Sequence, residues 1–385
     1  MPDANRRPTG ALDSLTGLRF LAAGMVVLYH ASMWSVHDHN PGKNPLEIGY
    51  VGVTFFFVLS GFVLAWTHRS DDTPHAFWSR RFARIYPVHL LTFAIAAVFV
   101  VLGIGSIDKR PWGWLAQVFL VQSWAPGPGA LTYNSPAWSL SDEAFFYVLF
   151  PFVMGIGWLR RRPVLMAALA GGWLLGGALL LGRIDRHHLD VLFYLPLYRI
   201  GEFLIGVALA LAMKRGWRPR IGLPAGALLA VASYLVAWQW GVRHEQNLAD
   251  AFWYAQIITA VGFAALILGA ARADLDQRPS PLRAGWLVRL GQWSFALYMV
   301  HELSMRLVYS SGLHGDRISK FLVYLAAGGA SLLLAGAIYH VYERPIERRL
   351  RAALVPSHPP RTRVVEPARA PVVAGESARR LARTP

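Results

Sequence analysis

Apolar residues gather into long runs separated by short stretches rich in Arg, Pro and Gly. Ten runs approach or exceed the ~20 residues that a helix needs to cross the hydrocarbon core of a bilayer. They are about Leu18 to Val36, Gly49 to Thr67, Tyr86 to Gly105, Trp138 to Trp158, Val164 to Gly182, Leu192 to Met213, Ile221 to Trp240, Ala251 to Ala271, Trp286 to Val308 and Ser319 to Tyr342. A shorter piece, Trp112 to Trp124, falls below the ~17-residue lower limit and runs into Pro126, Gly127, Pro128 and Gly129, which predicts a re-entrant or interfacial helix. The pattern predicts an all-α polytopic membrane protein, a bundle of about ten transmembrane helices plus that one short helix. No loop between the runs is long enough to bury a core of its own, so function belongs to the bundle or its mouths. Residues 1–14 read as a cytoplasmic N-terminal segment, 15–350 as the membrane domain, and 351–385, rich in Pro, Arg and Ala, as a disordered cytoplasmic tail.

Composition agrees with lipid as the solvent: 55% of residues are hydrophobic and 16% charged. The net charge of +16 suggests nucleic acid only until its distribution is read. The basic residues fall in short clusters between apolar runs, which is how membrane helices are oriented, and no nucleic-acid-reading motif accompanies them. One set of loops holds Arg69, Arg80, Arg81 and Arg84, then Arg160 to Arg162, then Lys214, Arg215, Arg218 and Arg220, then Arg272, Arg278, Arg283 and Arg289. The alternate loops carry far fewer, which predicts both termini in the cytoplasm and a multi-pass protein of the inner (plasma) membrane. Arg6 and Arg7 precede a first run with no small-residue cleavage site after it, so that run is expected to be retained as a span. The absence of cysteine excludes disulfides, thiolate catalysis and Cys-ligated metal.

Within the first run, Arg19 and His30 stand among residues suited to lipid. Eleven positions on a helix are about three turns and roughly 16 Å, so both leave one face at different depths. An ionisable side chain inside a span is costly and marks a functional site by default, although Arg19 at a helix end also fits snorkelling to headgroups. Ser60, Gly52 and Gly61 in the second run suit close helix packing. Arg199 and Glu202, three apart, suit a structural pair. His187 and His188 with Asp185 and Asp190 read as a solvated loop, and no metal site is expected.

Six strings then add up to a resemblance. They are the Arg19/His30 pair; Gly49-Tyr50-Val51-Gly52-Val53-Thr54-Phe55-Phe56-Phe57-Val58-Leu59-Ser60-Gly61-Phe62; Arg80-Arg81-Phe82-Ala83-Arg84-Ile85-Tyr86-Pro87; Trp138-Ser139-Leu140-Ser141-Asp142-Glu143-Ala144-Phe145-Phe146-Tyr147; Arg199-Ile200-Gly201-Glu202-Phe203-Leu204-Ile205-Gly206; and Ser294-Phe295-Ala296-Leu297-Tyr298-Met299-Val300-His301. In this order, over about Leu15 to Leu350, the chain resembles the membrane-bound acyltransferase family 3. The resemblance implies transfer of an acyl group, most often acetyl from acetyl-CoA, to a hydroxyl of a sugar or other small acceptor, with acyl-CoA as co-substrate and no bound cofactor. Some relatives carry an extracytoplasmic hydrolase-like domain after the bundle; a short polar tail stands there in this sequence.

Acyl transfer from a thioester to a hydroxyl needs a base, a stabiliser for the oxyanion and an anchor for the polyanionic donor. His30 is the candidate base, since imidazole titrates near working pH, and Glu143 is the expected partner holding its tautomer. Both lie roughly 7 Å below the outer ends of their predicted spans by helical rise. His301 and Trp138 are candidates for acceptor binding. Arg19, Arg80, Arg81 and Arg84 are candidates for the donor's phosphates, with Pro87 expected to start the third span rigidly and aim the cluster. The expected partners are acyl-CoA, a carbohydrate or glycoconjugate acceptor and the lipid bilayer, not nucleic acid; the sequence does not set an oligomeric state. The rival reading is a transporter or flippase for an acidic or lipid-linked saccharide, in which the same buried charges bind cargo.

Overall fold

A computed structural model describes residues 12–35, 44–69, 71–104, 110–125, 127–184, 193–243, 248–312 and 316–355. Each of the ten apolar runs is a helix. They are α1 (Asp13–Ser35), α2 (Gly52–Thr67), α3 (Pro74–Leu102), α4 (Trp138–Gly155), α5 (Pro163–Ile184), α6 (Pro196–Lys214), α7 (Leu223–Arg243), α8 (Leu248–Leu275), α9 (Gly285–Ser310) and α10 (Arg317–Ile338). An eleventh, α11 (Arg344–Leu354), follows a π-helical turn at Tyr339–Glu343. No strand occurs among the described residues. Among the described residues, eight helical stretches are long and apolar enough to cross a membrane. The two long helices outside that set, α4 and α9, are the ones interrupted by Asp142 and Glu143 and by Arg289, Glu302 and Arg306. The all-α polytopic reading therefore holds.

Two boundaries differ from the sequence reading. α3 starts at Pro74, where the Thr73 hydroxyl accepts from the Ala76 amide and Pro occupies a position whose N–H has no partner in any helix. Pro87 thus lies inside α3 and does not begin it. Arg80, Arg81 and Arg84 ride on the helix itself. At the other end of the chain the helix does not stop near Tyr342; it passes through the π-turn and runs to Leu354, beyond the expected boundary at 350. The short piece expected over Trp112 to Trp124 is present as well. Residues 110–137 hold a short helix, Gly113–Val118, and three single turns of 3-10 helix, and they fold back among the long helices.

The depth of that fold can be read from its partners. His89, half-way along α3, donates through Nε2 to the Gln117 carbonyl at 2.7 Å, and Tyr86 donates to the Val118 carbonyl at 3.1 Å. Asn134 Nδ2 donates to the Met299 carbonyl at 3.1 Å, and Gln117, Gln122 and Ser123 bond the returning backbone at Thr132, Ala137 and Trp138. Met299 is eleven positions short of the end of α9, roughly 16 Å by helical rise. α4, which follows at once, therefore begins deep in the bundle. Buried irregular backbone is tolerated where protein groups satisfy it, as these side chains do for the carbonyls of Gln117, Val118, Thr132, Ala137 and Trp138.

Close approaches fix the remaining geometry. A Cβ on Gly61 of α2 would lie 1.9 Å from the Phe203 carbonyl of α6, and one on Gly206 of α6 would lie 1.9 Å from the Val58 carbonyl of α2, so both helices meet backbone to backbone. Gly291 of α9 lies against the Thr16 carbonyl of α1 in the same way. α1 and α9 start at the same end and run side by side, which puts His30 and His301 level: seventeen and sixteen positions along their helices, about 25 Å in each case.

The candidate active site

A cavity of about 140 Å³ lies between α1, α2, α3, α4 and α9. Half of its lining residues are Phe, Leu, Val or Ile, and its polar groups fall into two sets. Towards the end of the bundle where α1, α3 and α9 begin stand Arg19, Arg81, Arg84, Glu143, Tyr147 and Ser60; deeper in are Ser139, Ser294 and Tyr298.

The arginines are not equivalent. Arg84 is ion-paired with Glu343 of the π-turn and, at 3.1 Å, with Glu347 of α11. Arg80 pairs with Asp72 at 2.8 Å and does not line the cavity. Arg81 has no ion pair among the described residues; its guanidinium lies 5.9 Å from the Phe77 ring centroid and its Nε is buried without a partner. Arg19 likewise lines the cavity with no ion pair among the described residues. Arg19 and Arg81 are thus the cations open to an anionic ligand, and the expected three-arginine clamp on α3 reduces to one free member plus a residue of α1.

Glu143 belongs to this set. It accepts from the Ser60 hydroxyl at 2.9 Å and from the Tyr147 hydroxyl one turn along α4. The expected pairing with His30 is not formed. Equal depth with His30 would require α4 to start at the far face; because segment 110–137 carries its first residue into the bundle, Glu143 shares the cavity wall with Arg19 instead.

His30 meets another partner. Its Nδ1 lies 2.9 Å from the Val26 carbonyl and 3.2 Å from His301 Nε2, and the two imidazoles are edge to face with centroids 4.8 Å apart. His301 is fully buried, with Nδ1 2.8 Å from the Tyr298 carbonyl. Tyr298 connects the pair to the cavity. Its ring lines the cavity and lies 5.9 Å from the His301 ring, while its hydroxyl bonds Ser139 at 2.8 Å and the Pro136 carbonyl at 3.0 Å. Beside the histidines, Glu302 and Arg306 pair at 2.7 Å and Arg306 also donates to Ser135.

Trp138, expected at the acceptor, is 7% exposed and packed against Phe57, Phe193 and Tyr194. With Phe57 and Phe193 it surrounds the Arg199 guanidinium, whose Nη2 pairs with Glu202 at 3.1 Å. An aromatic ring so enclosed supports the core and has no open face for a sugar. Arg199 and Glu202 do pair on one face of α6, as their spacing suggests. His187 and His188 lie outside the described residues. Tyr147, Glu302 with Arg306, and Glu343 were missed in the sequence, though the four-residue spacings Glu143/Tyr147 and Glu302/Arg306 carried a signal.

The geometry defines a membrane-embedded pocket with a basic mouth at one end and a histidine pair beyond its floor. Residues 12–340 match the family described as an acyltransferase domain, and the chain belongs to that family and is an acyltransferase. Among similar proteins, acyltransferase MdmB of Streptomyces mycarofaciens is 35% identical over 375 residues, covering 88% of this chain and 92% of that one. Exopolysaccharide production protein ExoZ of Rhizobium meliloti is 26% identical over 333 residues, covering 86% of this chain and 97% of its own. Peptidoglycan O-acetyltransferase OatA of Listeria monocytogenes is 28% identical over 179 residues, 42% of this chain and 27% of that protein. No solved structure matches with significance.

Proposed function

We propose that the protein is an O-acyltransferase of the plasma membrane that moves an acyl group, acetyl in the simplest case, from cytoplasmic acyl-CoA to a hydroxyl of a carbohydrate or glycoconjugate. The observation that carries this reading is a cavity with Arg19 and Arg81 towards one end and Tyr298 deeper in, the Tyr298 ring lying 5.9 Å from that of His301, which in turn contacts His30. Phosphates suit the guanidinium groups, and a pantetheine arm suits a narrow, largely apolar channel with a few hydroxyls along it. The names of ExoZ, an exopolysaccharide production protein, and OatA, a peptidoglycan O-acetyltransferase, support a sugar hydroxyl as acceptor.

In the reaction, the acceptor oxygen attacks the thioester carbonyl carbon while its proton passes to His30. The new C–O bond forms, the C–S bond breaks, and the proton goes on to the departing CoA thiolate, so ester and free thiol leave in equal amounts. Tyr298 and Ser139, whose hydroxyls bond each other and the Pro136 carbonyl, are the polar groups of the cavity on the side of the histidines.

The test is to supply isolated membranes containing the protein with acetyl-labelled acetyl-CoA and to follow label into the glycan fraction together with release of thiol. Label and thiol rising in step, and vanishing with His30→Ala, bear the reading out. Saccharide movement across the membrane with no thiol released would identify a transporter instead.

A further inference from the structure

The carbonyls around the two histidines determine where their hydrogens lie. A carbonyl oxygen only accepts, so His301 Nδ1, 2.8 Å from Tyr298 O and 3.2 Å from Leu297 O, carries a hydrogen. Neutral His301 then presents a bare Nε2. His30 Nδ1, 2.9 Å from Val26 O, also carries its hydrogen and shares it with His301 Nε2 at 3.2 Å. Among the described residues every hydrogen bond of His30 runs through Nδ1. Its Nε2 is left with a lone pair.

We infer that His301 is a positioning residue: it holds His30 in the Nδ1–H tautomer, so that Nε2 is the atom that receives the acceptor's proton. This rests on the reading of His30 as base, and it moves His301 from acceptor binding to orientation. A ring that must accept at Nε2 needs its Nδ1–H fixed, because rotation about the Cβ–Cγ bond or exchange of tautomer would turn a donor towards the acceptor hydroxyl. Val26 O lies one turn back on α1 itself; His301 supplies a second acceptor from α9, aligned by its own bond to Tyr298 O. When His30 takes the proton, the imidazolium Nδ1–H keeps both acceptors. The charged groups that bear on His30 from α9 are Glu302 and Arg306, which are paired with each other, and Tyr29 meets its ring edge-on at 4.9 Å.

The experiment uses the full chain in isolated membranes with labelled acetyl-CoA, comparing His301→Leu, His301→Gln and His30→Ala. His301→Leu should lower the maximal rate by about tenfold to a hundredfold, the range for losing one hydrogen bond to a charged group. The KM for acetyl-CoA should stay put, and the acid limb of the pH–rate profile should move to lower pH. His301→Gln, whose amide oxygen reaches the place of Nε2, should restore most of the rate and the wild-type profile. A rate and pH profile unchanged in His301→Leu would overturn the inference, as would a folded His301→Gln as inactive as His30→Ala. Should His301→Leu fail to accumulate, the Gln variant alone decides. If His30→Ala itself keeps its turnover, the assignment of the base fails instead, whatever the His301 variants do.

Discussion

Arg84 on α3 is ion-paired with Glu343, 259 positions later in the chain, at the π-turn where α10 gives way to α11. Glu343 is 1% exposed, so its charge depends on that partner. A buried carboxylate stripped of its cation is strongly destabilising, about 3–5 kcal/mol, whereas an uncharged pair of similar shape is tolerated far better. Arg84→Gln should therefore lower thermal stability in detergent sharply. The double variant Arg84→Gln with Glu343→Gln should recover much of the loss. Equal unfolding temperatures for wild type and Arg84→Gln would show that the pair contributes nothing.

Donor anchoring should separate the arginines that the sequence groups together. Arg19→Gln and Arg81→Gln should each weaken CoA binding by about tenfold or more, since a charge-assisted bond is typically worth ~1.5–3 kcal/mol. Arg80→Gln, already satisfied by Asp72 and outside the cavity, should change binding little. Calorimetric titration of the detergent-solubilised protein with CoA decides this, and equal losses at all three positions would return the argument to a diffuse basic surface.

Glu143→Gln should not behave like a change to the base. Its hydrogen-bond partners are Ser60 and Tyr147, and its charge acts on Arg19 and Arg81. Removing that charge leaves the cavity more positive, so CoA should bind at least as tightly. The acid limb of the pH–rate profile should remain in place. A displaced limb in Glu143→Gln would mean that this carboxylate does reach His30 during turnover.

Topology is open to direct measurement. The basic loops predict that a reporter after Arg349 is cytoplasmic and that one at Gly312, on the other side of α10, is outside. Both reporters on one side would remove α10 as a crossing.

Much of this protein was legible in the chain before it was folded. Apolar run length and the basic loops are local properties, and a helix in lipid satisfies its backbone within itself, so each of the ten apolar runs is helical, although α3 begins twelve residues before the start read for it at Tyr86. The Arg19/His30 spacing and the ordered motifs were enough to indicate the family. Partner choice was not legible, because it is set by non-local packing. Segment 110–137 reads as a short helix with a Pro-Gly turn, yet only its hydrogen bonds to His89 and Met299 reveal how far it enters the bundle. That depth delivers Glu143 to Arg19 and leaves His30 to His301. The parallel contact of α1 with α9 at Gly291, and the return of Glu343 to Arg84, join residues hundreds of positions apart. Hydropathy sums over neighbours in sequence; a charge buried in a bundle answers to its neighbours in space.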